Sequence, residues 1–221
     1  MARHDLARID GRLGAYWHFA MSDHGILRTA FTNAHWIDEK MVRTNQPWPY
    51  QLKYWQERGI RTVLNLRGCS PQSWYLLEQE ATEALGMTLV TAPLGSREVP
   101  SRERILLARD LFERIEYPAL MHCKSGADRA GLMAVLYRHF HLGHPISEAV
   151  EELGFRTLHV RQGLTGVLDY FFEHYLAEVE PRGISFIDWV MSDRFDPDAL
   201  KATFKANWWG KMLTEKVLRR E

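Results

Sequence analysis

Cys123 and Arg129 lie six residues apart in the stretch MHCKSGADRAG, and everything between them is short or charged. Lys124, Ser125, Gly126, Ala127 and Asp128 fill the interval. A thiol, a small-residue loop and a guanidinium at this spacing suit the capture of a tetrahedral anion. Gly126 and Ala127 keep side chains away from the backbone, so successive amide N–H groups can converge on one point. Arg129 adds a planar fork that matches two phosphate oxygens. A thiolate under that positive field is a nucleophile for phosphoryl transfer. A buried cysteine is otherwise often just a small core residue. Here the coincidence of residues and of local structure argues for chemistry.

That local structure is a strand running into a helix. PALMHC reads as a buried strand and AGLMAVLYRHFHLG as a helix ending at Gly143. Ligands of open α/β sheets bind at the carboxyl ends of strands, where a following helix N-terminus favours anions. Upstream, QLKYWQERG reads as an amphipathic helix stopped by Gly59, IRTVLNL as a strand, and PQSWYLLEQEATEALG as a helix with Pro and Gly marking its ends. MTLVTAPL is a further strand, and PSRERILLARDLFERIE a helix with Ser101 placed as N-cap. The β-α-β-α-β order predicts a central, mostly parallel sheet flanked by helices. PISEAVEELG and LTGVLDYFFEHYLAEV give two more helices.

The whole chain sets outer bounds. Apolar residues make up 46% of it, and the 28 basic residues match the 28 acidic ones. Zero formal charge argues against a dedicated nucleic-acid partner. Two cysteines make no disulfide framework, so reduced thiols and a cytoplasmic setting are expected. No stretch has the length of a membrane span. His139, His141 and His144 have offsets that suit a helix C-terminus better than a metal site, and no metal is expected. Arg161 and Gln162 either reach the active-site rim or cap a turn at the surface, with the second favoured.

His122-Cys123-x5-Arg129 resembles the signature of cysteine-dependent protein tyrosine and dual-specificity phosphatases. The stretch MVRTNQPWPYQLKYWQERGIRTVLNLRG and the downstream LTGVLDYFFEHY resemble compact bacterial members of that family. The resemblance covers residues 34–178 and implies a dual-specificity-phosphatase-like fold there, while residues 1–33 read as a helical N-terminal arm and 179–221 as a helical C-terminal extension. It implies a phosphocysteine intermediate on Cys123, phosphate binding by residues 124–129, a loop-orienting role for His122, and no cofactor. The substrate it implies is phosphotyrosine or a mixed phosphoprotein monoester. A phosphoinositide, phospholipid or other small phosphoester is the alternative, and a catalytically weak phosphate-binding module is another.

Two departures from the family pattern motivate that last reading. Ala130 stands where a hydroxyl residue usually follows the arginine. The loop that usually carries the aspartic general acid reads APLGSREVPSRE and has no Asp. Its first carboxylate is Glu98. Asp128 is the rival, since myotubularin-like and Sac-type phosphatases carry an acidic residue at that loop position. Asp128 could instead be structural, paired with Arg97 or another base. Cys69 follows the strand expected beside the one ending at Cys123, which makes it a candidate redox partner; a small buried residue at a strand end is the plainer reading. Trp189, Trp208 and Trp209 make the C-terminal tail either a protein-contact surface or a segment folded back over the core, with the second favoured.

Overall fold

A computed structural model describes residues 5–218, with side chains described through Trp208. The arm contains α1 (Ile9–Met21) and α2 (Leu27–Ala30). There follow β1 (His35–Trp36), β2 (Met41–Thr44), α3 (Pro49–Gln56), β3 (Thr62–Asn65), α4 (Ser73–Ala84), β4 (Thr88–Thr91), α5 (Arg102–Arg114) and β5 (Ala119–His122). After the Cys123 loop come α6 (Asp128–Phe140), α7 (Ile146–Ala149), α8 (Val167–His174), α9 (Phe186–Met191) and α10 (Pro197–Leu218).

The sheet order is β1-β2-β5-β3-β4, with β2, β5, β3 and β4 parallel and β1 antiparallel at the edge. β5 is therefore flanked by β2 and β3. Its last residue, His122, is in register with Thr44 on one side and Asn65 on the other. The ends of these strands converge on the Cys123 loop.

Alternation along the strands splits the core in two. Met41, Leu64 and Met121 face one layer, with α5, α6, α8 and α9 packed over them. Val42, Val63 and Leu120 face the other, against Leu52 and Trp55 of α3. Each fully buried aliphatic or aromatic side chain of this kind contributes roughly 1.5–3 kcal/mol. Gly59 and Gly143 both have positive φ, +87° and +75°, where α3 and α6 give way to turns. Ser101 occupies the N-cap position of α5 but makes no side-chain cap bond to the helix. The helix expected from Pro71 starts instead at Ser73.

The tail does fold back where it is described. Trp189 is buried among Phe171, Tyr175, Phe186 and Phe195, so it offers no surface to a partner. Residues on both sides of position 178 share this core. Trp208 donates its indole N–H to the Gln162 carbonyl, and the Trp209 side chain lies outside the described residues. The arm is tied down from its inner face. Ala15 and Phe19 pack with Trp48, Trp74 and Leu77, and Arg12 forms a two-pronged pair with Glu80. Its outer face leaves Ile9, Leu13, Trp17 and Met21 exposed at four-residue intervals. No helix among the described residues is long and apolar enough to cross a membrane.

Candidate active site

Cys123 is the first residue past β5 and is only 1% exposed, so its sulfur lies at the floor of the loop. Gly126 N–H donates to that sulfur across 3.2 Å. The loop's shape is set from behind. Four successive carbonyls are each held on its outer side. Lys124 O accepts from Gln46 N–H, and Ser125 O from Asn33 Nδ2 at 3.0 Å. Gly126 O and Ala127 O both accept from Arg43 Nη2 at 2.8 Å. Carbonyls anchored outward leave the alternate amide N–H groups facing inward, which is the geometry of an anion nest. The N-terminus of α6 adds its positive end.

Gly126 makes the turn possible. Its φ is +76°, and a Cβ there would lie 2.8 Å from Asn45 N and Thr44 C. The backbone of β2's end thus presses directly on the loop. Arg43 reaches the loop from β2, fully buried, and its other nitrogen bonds Glu152 O and Glu152 Oε2. Such a charge inside the fold stands only because carbonyls and a carboxylate surround it.

His122 Nε2 lies 2.6 Å from a Glu78 carboxylate oxygen, both side chains fully covered. Glu78, from α4, also accepts from Asn65 Nδ2 at 2.5 Å and Gln46 Nε2 at 3.1 Å. These contacts lock the strand ends behind the cysteine. Asn65 in turn accepts the N–H groups of Arg67 and Gly68, shaping the turn after β3. Arg67 stacks 3.7 Å over the Trp74 ring and pairs with Asp23 at 2.7 Å. Asp23 also meets Arg28 and, at 3.5 Å, Lys124 of the loop. Burial pulls Asp23 toward its neutral form, but the Arg67, Arg28 and Lys124 charges outweigh it and hold its carboxyl below the usual range.

Asp128 opens α6, and its partner is not Arg97. His159 Nδ1 lies 2.8 Å from Asp128 Oδ1, and His159 Nε2 lies 2.7 Å from Asp169 Oδ2. Burial works against a charge on His159, yet the two carboxylates together raise it to about 9. The group is thus an imidazolium at neutral pH, shared between two acids. Glu98 sits elsewhere, on the loop after β4, where Lys201 of α10 approaches it at 3.8 Å. It borders a cleft of about 420 Å³ with Pro93, Arg104 and Asp198. Arg129 donates weakly to Leu66 O at 3.5 Å. Ala130 is buried and offers no hydroxyl to the sulfur.

Residues 30–162, more than half of the chain, match the family model described as "DSP-PTPase phosphatase fused to NAD+ Kinase". The chain belongs to this DSP-PTPase phosphatase family. Curated protein sequences give no match. Among solved structures, P. aeruginosa TpbA in complex with pTyr is 22% identical, with 73% of this chain and 91% of that chain covered and a TM-score of 0.52. A putative phosphatase from Shewanella putrefaciens is 18% identical, with 71% and 95% covered and a TM-score of 0.52. At these identities the likeness shows a common fold. The DSP-PTPase phosphatase described here is accordingly a phosphoric monoester hydrolase with a mixed α/β fold, as the cysteine loop suggests from sequence.

Cys69 is not the buried strand-end residue of the plainer expectation. It is exposed, its sulfur accepts from the Tyr75 hydroxyl at 3.4 Å, and that bond lowers its pKa. The three histidines each have a local partner. His139 meets His144 O, His144 meets Arg138, and His141 stacks on Tyr137. Arg161 pairs with Glu173 on the surface. The residues that sequence reasoning missed are Asn33, Arg43, Gln46, Glu78, His159 and Asp169. One had a signal: an arginine inside the apolar strand pattern MVRT is out of place unless something buried needs it. The others come from distant segments with no motif of their own.

Proposed function

We propose that the protein hydrolyses phosphotyrosine, and more broadly phosphoprotein monoesters, through a phosphocysteine intermediate. The observation that carries this reading is the depth of Cys123, 1% exposed beneath a nest of backbone N–H groups. A long flat aryl ester reaches such a floor more readily than a short alkyl one. The phosphate is held by the amides of residues 124–129 and the fork of Arg129. The Cys123 thiolate attacks phosphorus, the P–O bond to the leaving group breaks, and the departing oxygen takes a proton from a carboxylic acid. Water, giving a proton back to that carboxylate, then attacks the phosphocysteine, the S–P bond breaks, and phosphate leaves with the thiolate and the acid restored.

Asp128 and Glu98 are the two candidates for that acid. Asp128 is the better supported, because it adjoins Arg129 at the start of α6 and lies 2.8 Å from His159 Nδ1, which carries a proton to hand on. His122, braced by Glu78, orients the loop rather than acting as a base. Residues 34–178 carry this machinery, with 1–33 as an arm and 179–221 as an extension. A reducing compartment such as the cytoplasm suits a mechanism that needs free thiols.

The test is a phosphotyrosyl peptide with wild type, Cys123→Ser and Arg129→Lys. Cys123→Ser is expected to lose turnover while still binding vanadate. Arg129→Lys is expected to lose most of its activity, because an ammonium cannot make paired contacts. Turnover retained by Cys123→Ser would refute the mechanism.

A further inference from the structure

Asp23 lies in the segment between α1 and α2, ahead of the residues that match the family model. Its carboxylate is nonetheless joined to the Cys123 loop. Oδ1 stands 2.7 Å from Arg67 Nη2 and 3.5 Å from Lys124 Nζ. Oδ2 stands 2.5 Å from Arg28 Nη2 and 3.0 Å from Arg67 Nη1. Arg28 also donates to the Asp23 carbonyl at 3.0 Å. The side chains of Asp23, Arg28 and Arg67 are almost fully covered, whereas that of Lys124 is 41% exposed. Two buried guanidiniums therefore fix the carboxylate, and Lys124 is the member of the group that stays open to solvent.

Lys124 is tied to this group at both ends. Its carbonyl accepts from Gln46 N–H at 3.3 Å, and Gln46 Oε1 accepts from Arg67 Nη1 at 3.1 Å. Arg67 in turn holds the same Asp23 that faces Lys124 Nζ. The ring of contacts closes on one residue of the loop. It also lies on the side of the loop where Arg129 stands. Arg129 Nη1 is 3.5 Å from the carbonyl of Leu66, the residue before Arg67, and Leu66 N–H donates to His122 O. Three cations meet on one carboxylate here, so positive charge is left over beside the loop. A lysine on its own spreads its charge over many rotamers, and fixing it on a ligand costs entropy. A rigid counter-ion beside it lowers that cost in advance.

We propose that Asp23 is a positioning residue of the phosphate site, holding the Lys124 ammonium at the rim of the loop beside Arg129, where it meets the dianionic ester. The arm is then part of the machinery rather than a covering for it. The proposal rests on phosphate binding by residues 124–129, as given under Proposed function, and on nothing about the alcohol half of the ester.

The experiment is a double-mutant cycle on the full chain, with Asp23→Asn, Lys124→Met and the two combined. The readouts are vanadate affinity, and kcat and KM for a phosphotyrosyl peptide. Each single variant is expected to bind vanadate about tenfold more weakly and to raise KM more than it lowers kcat. The double variant should be no worse than Lys124→Met, because Asp23 acts through that side chain. Arg12→Met is the control. It cuts the arm's pair with Glu80 and leaves Asp23 untouched, so it should keep wild-type vanadate affinity whatever it does to the melting temperature. Additive losses in the double variant would overturn the proposal. So would an equal loss of affinity in Arg12→Met, since loosened packing of the arm would then explain both. Lys124→Met alters a half-exposed side chain, so wild-type affinity in it would overturn the proposal even if Asp23→Asn did not fold. Vanadate binding that follows the expected cycle, without hydrolysis of the peptide, would leave Asp23 in this role and refute the phosphotyrosine reading.

Discussion

Arg43 and Gly126 stand 83 residues apart in sequence and 2.8 Å apart in space, guanidinium nitrogen to carbonyl oxygen. Arg43 also holds Ala127 O and Glu152, with no exposure to water. Removing it leaves Gly126 O without its donor and takes one partner each from Ala127 O and Glu152, which keep Gly131 N–H and Arg138. Arg43→Met is expected to destabilise the fold by about 3–5 kcal/mol, the size found when one partner of a buried pair is removed. Urea unfolding measures this. Vanadate binding should weaken even at temperatures where the variant remains folded, because the carbonyls no longer keep the amides turned inward.

His159 makes stability depend on pH. Its folded-state pKa is raised from 6.5 to about 9. A raised value means the folded protein holds the proton more tightly than the unfolded chain. The contribution is thus fully present below about pH 6.5 and is lost as pH rises through about 9, with a size on the order of 3 kcal/mol. Melting temperature measured from pH 6 to pH 10 should fall over that window in wild type. His159→Gln should start lower and lose most of the slope. An unchanged slope in the variant would assign the pH dependence to other groups.

The leaving-group proton separates Asp128 from Glu98. Loss of the true acid slows esters with poor leaving groups by roughly 10²–10⁴-fold and spares those with good ones. Asp128→Asn is expected to show that pattern, and Glu98→Gln a small, uniform effect. Rates on a phosphotyrosyl peptide and on an activated aryl phosphate give the comparison. The reverse pattern would move the acid to the loop after β4.

Cys69 is exposed and its pKa is lowered by the Tyr75 hydroxyl, which favours reaction with an oxidised neighbour. Mild peroxide is expected to inactivate wild type in a manner that dithiothreitol reverses, with a Cys69–Cys123 disulfide as the trapped form. Cys69→Ser should recover less. Mass spectrometry after mild oxidation, finding no such linkage, would remove Cys69 from this role.

Much of the fold was legible because its signals are local. The apolar strand PALMHC, the tight loop and the helix after it place Cys123 and Arg129 without help from elsewhere. The parallel order followed from alternating strand and helix patterns. What holds the loop was not legible, because its donors come from three separate places: Asn33 after α2, Arg43 in β2 and Gln46 beyond it. Their pairing partners are backbone carbonyls, which carry no residue identity to match. Asp128 could be seen as either acid or structural element. His159 and Asp169 decide its surroundings, and nothing in RTLHVRQG marks a histidine that will be enclosed by two acids. The exposed stripe on α1 was hidden for another reason, since a helix apolar on both faces reads like one that is buried.

The four outward-held carbonyls have a kinetic consequence. A cradle whose amides are already aimed needs no reordering when an anion arrives, so little entropy is lost on binding. The same readiness serves the liberated inorganic phosphate as well as the ester. Product should therefore leave slowly and compete with incoming substrate. Turnover at saturation would then be governed by how fast the loop empties, and the rate of bond breaking would emerge only in a single-turnover measurement.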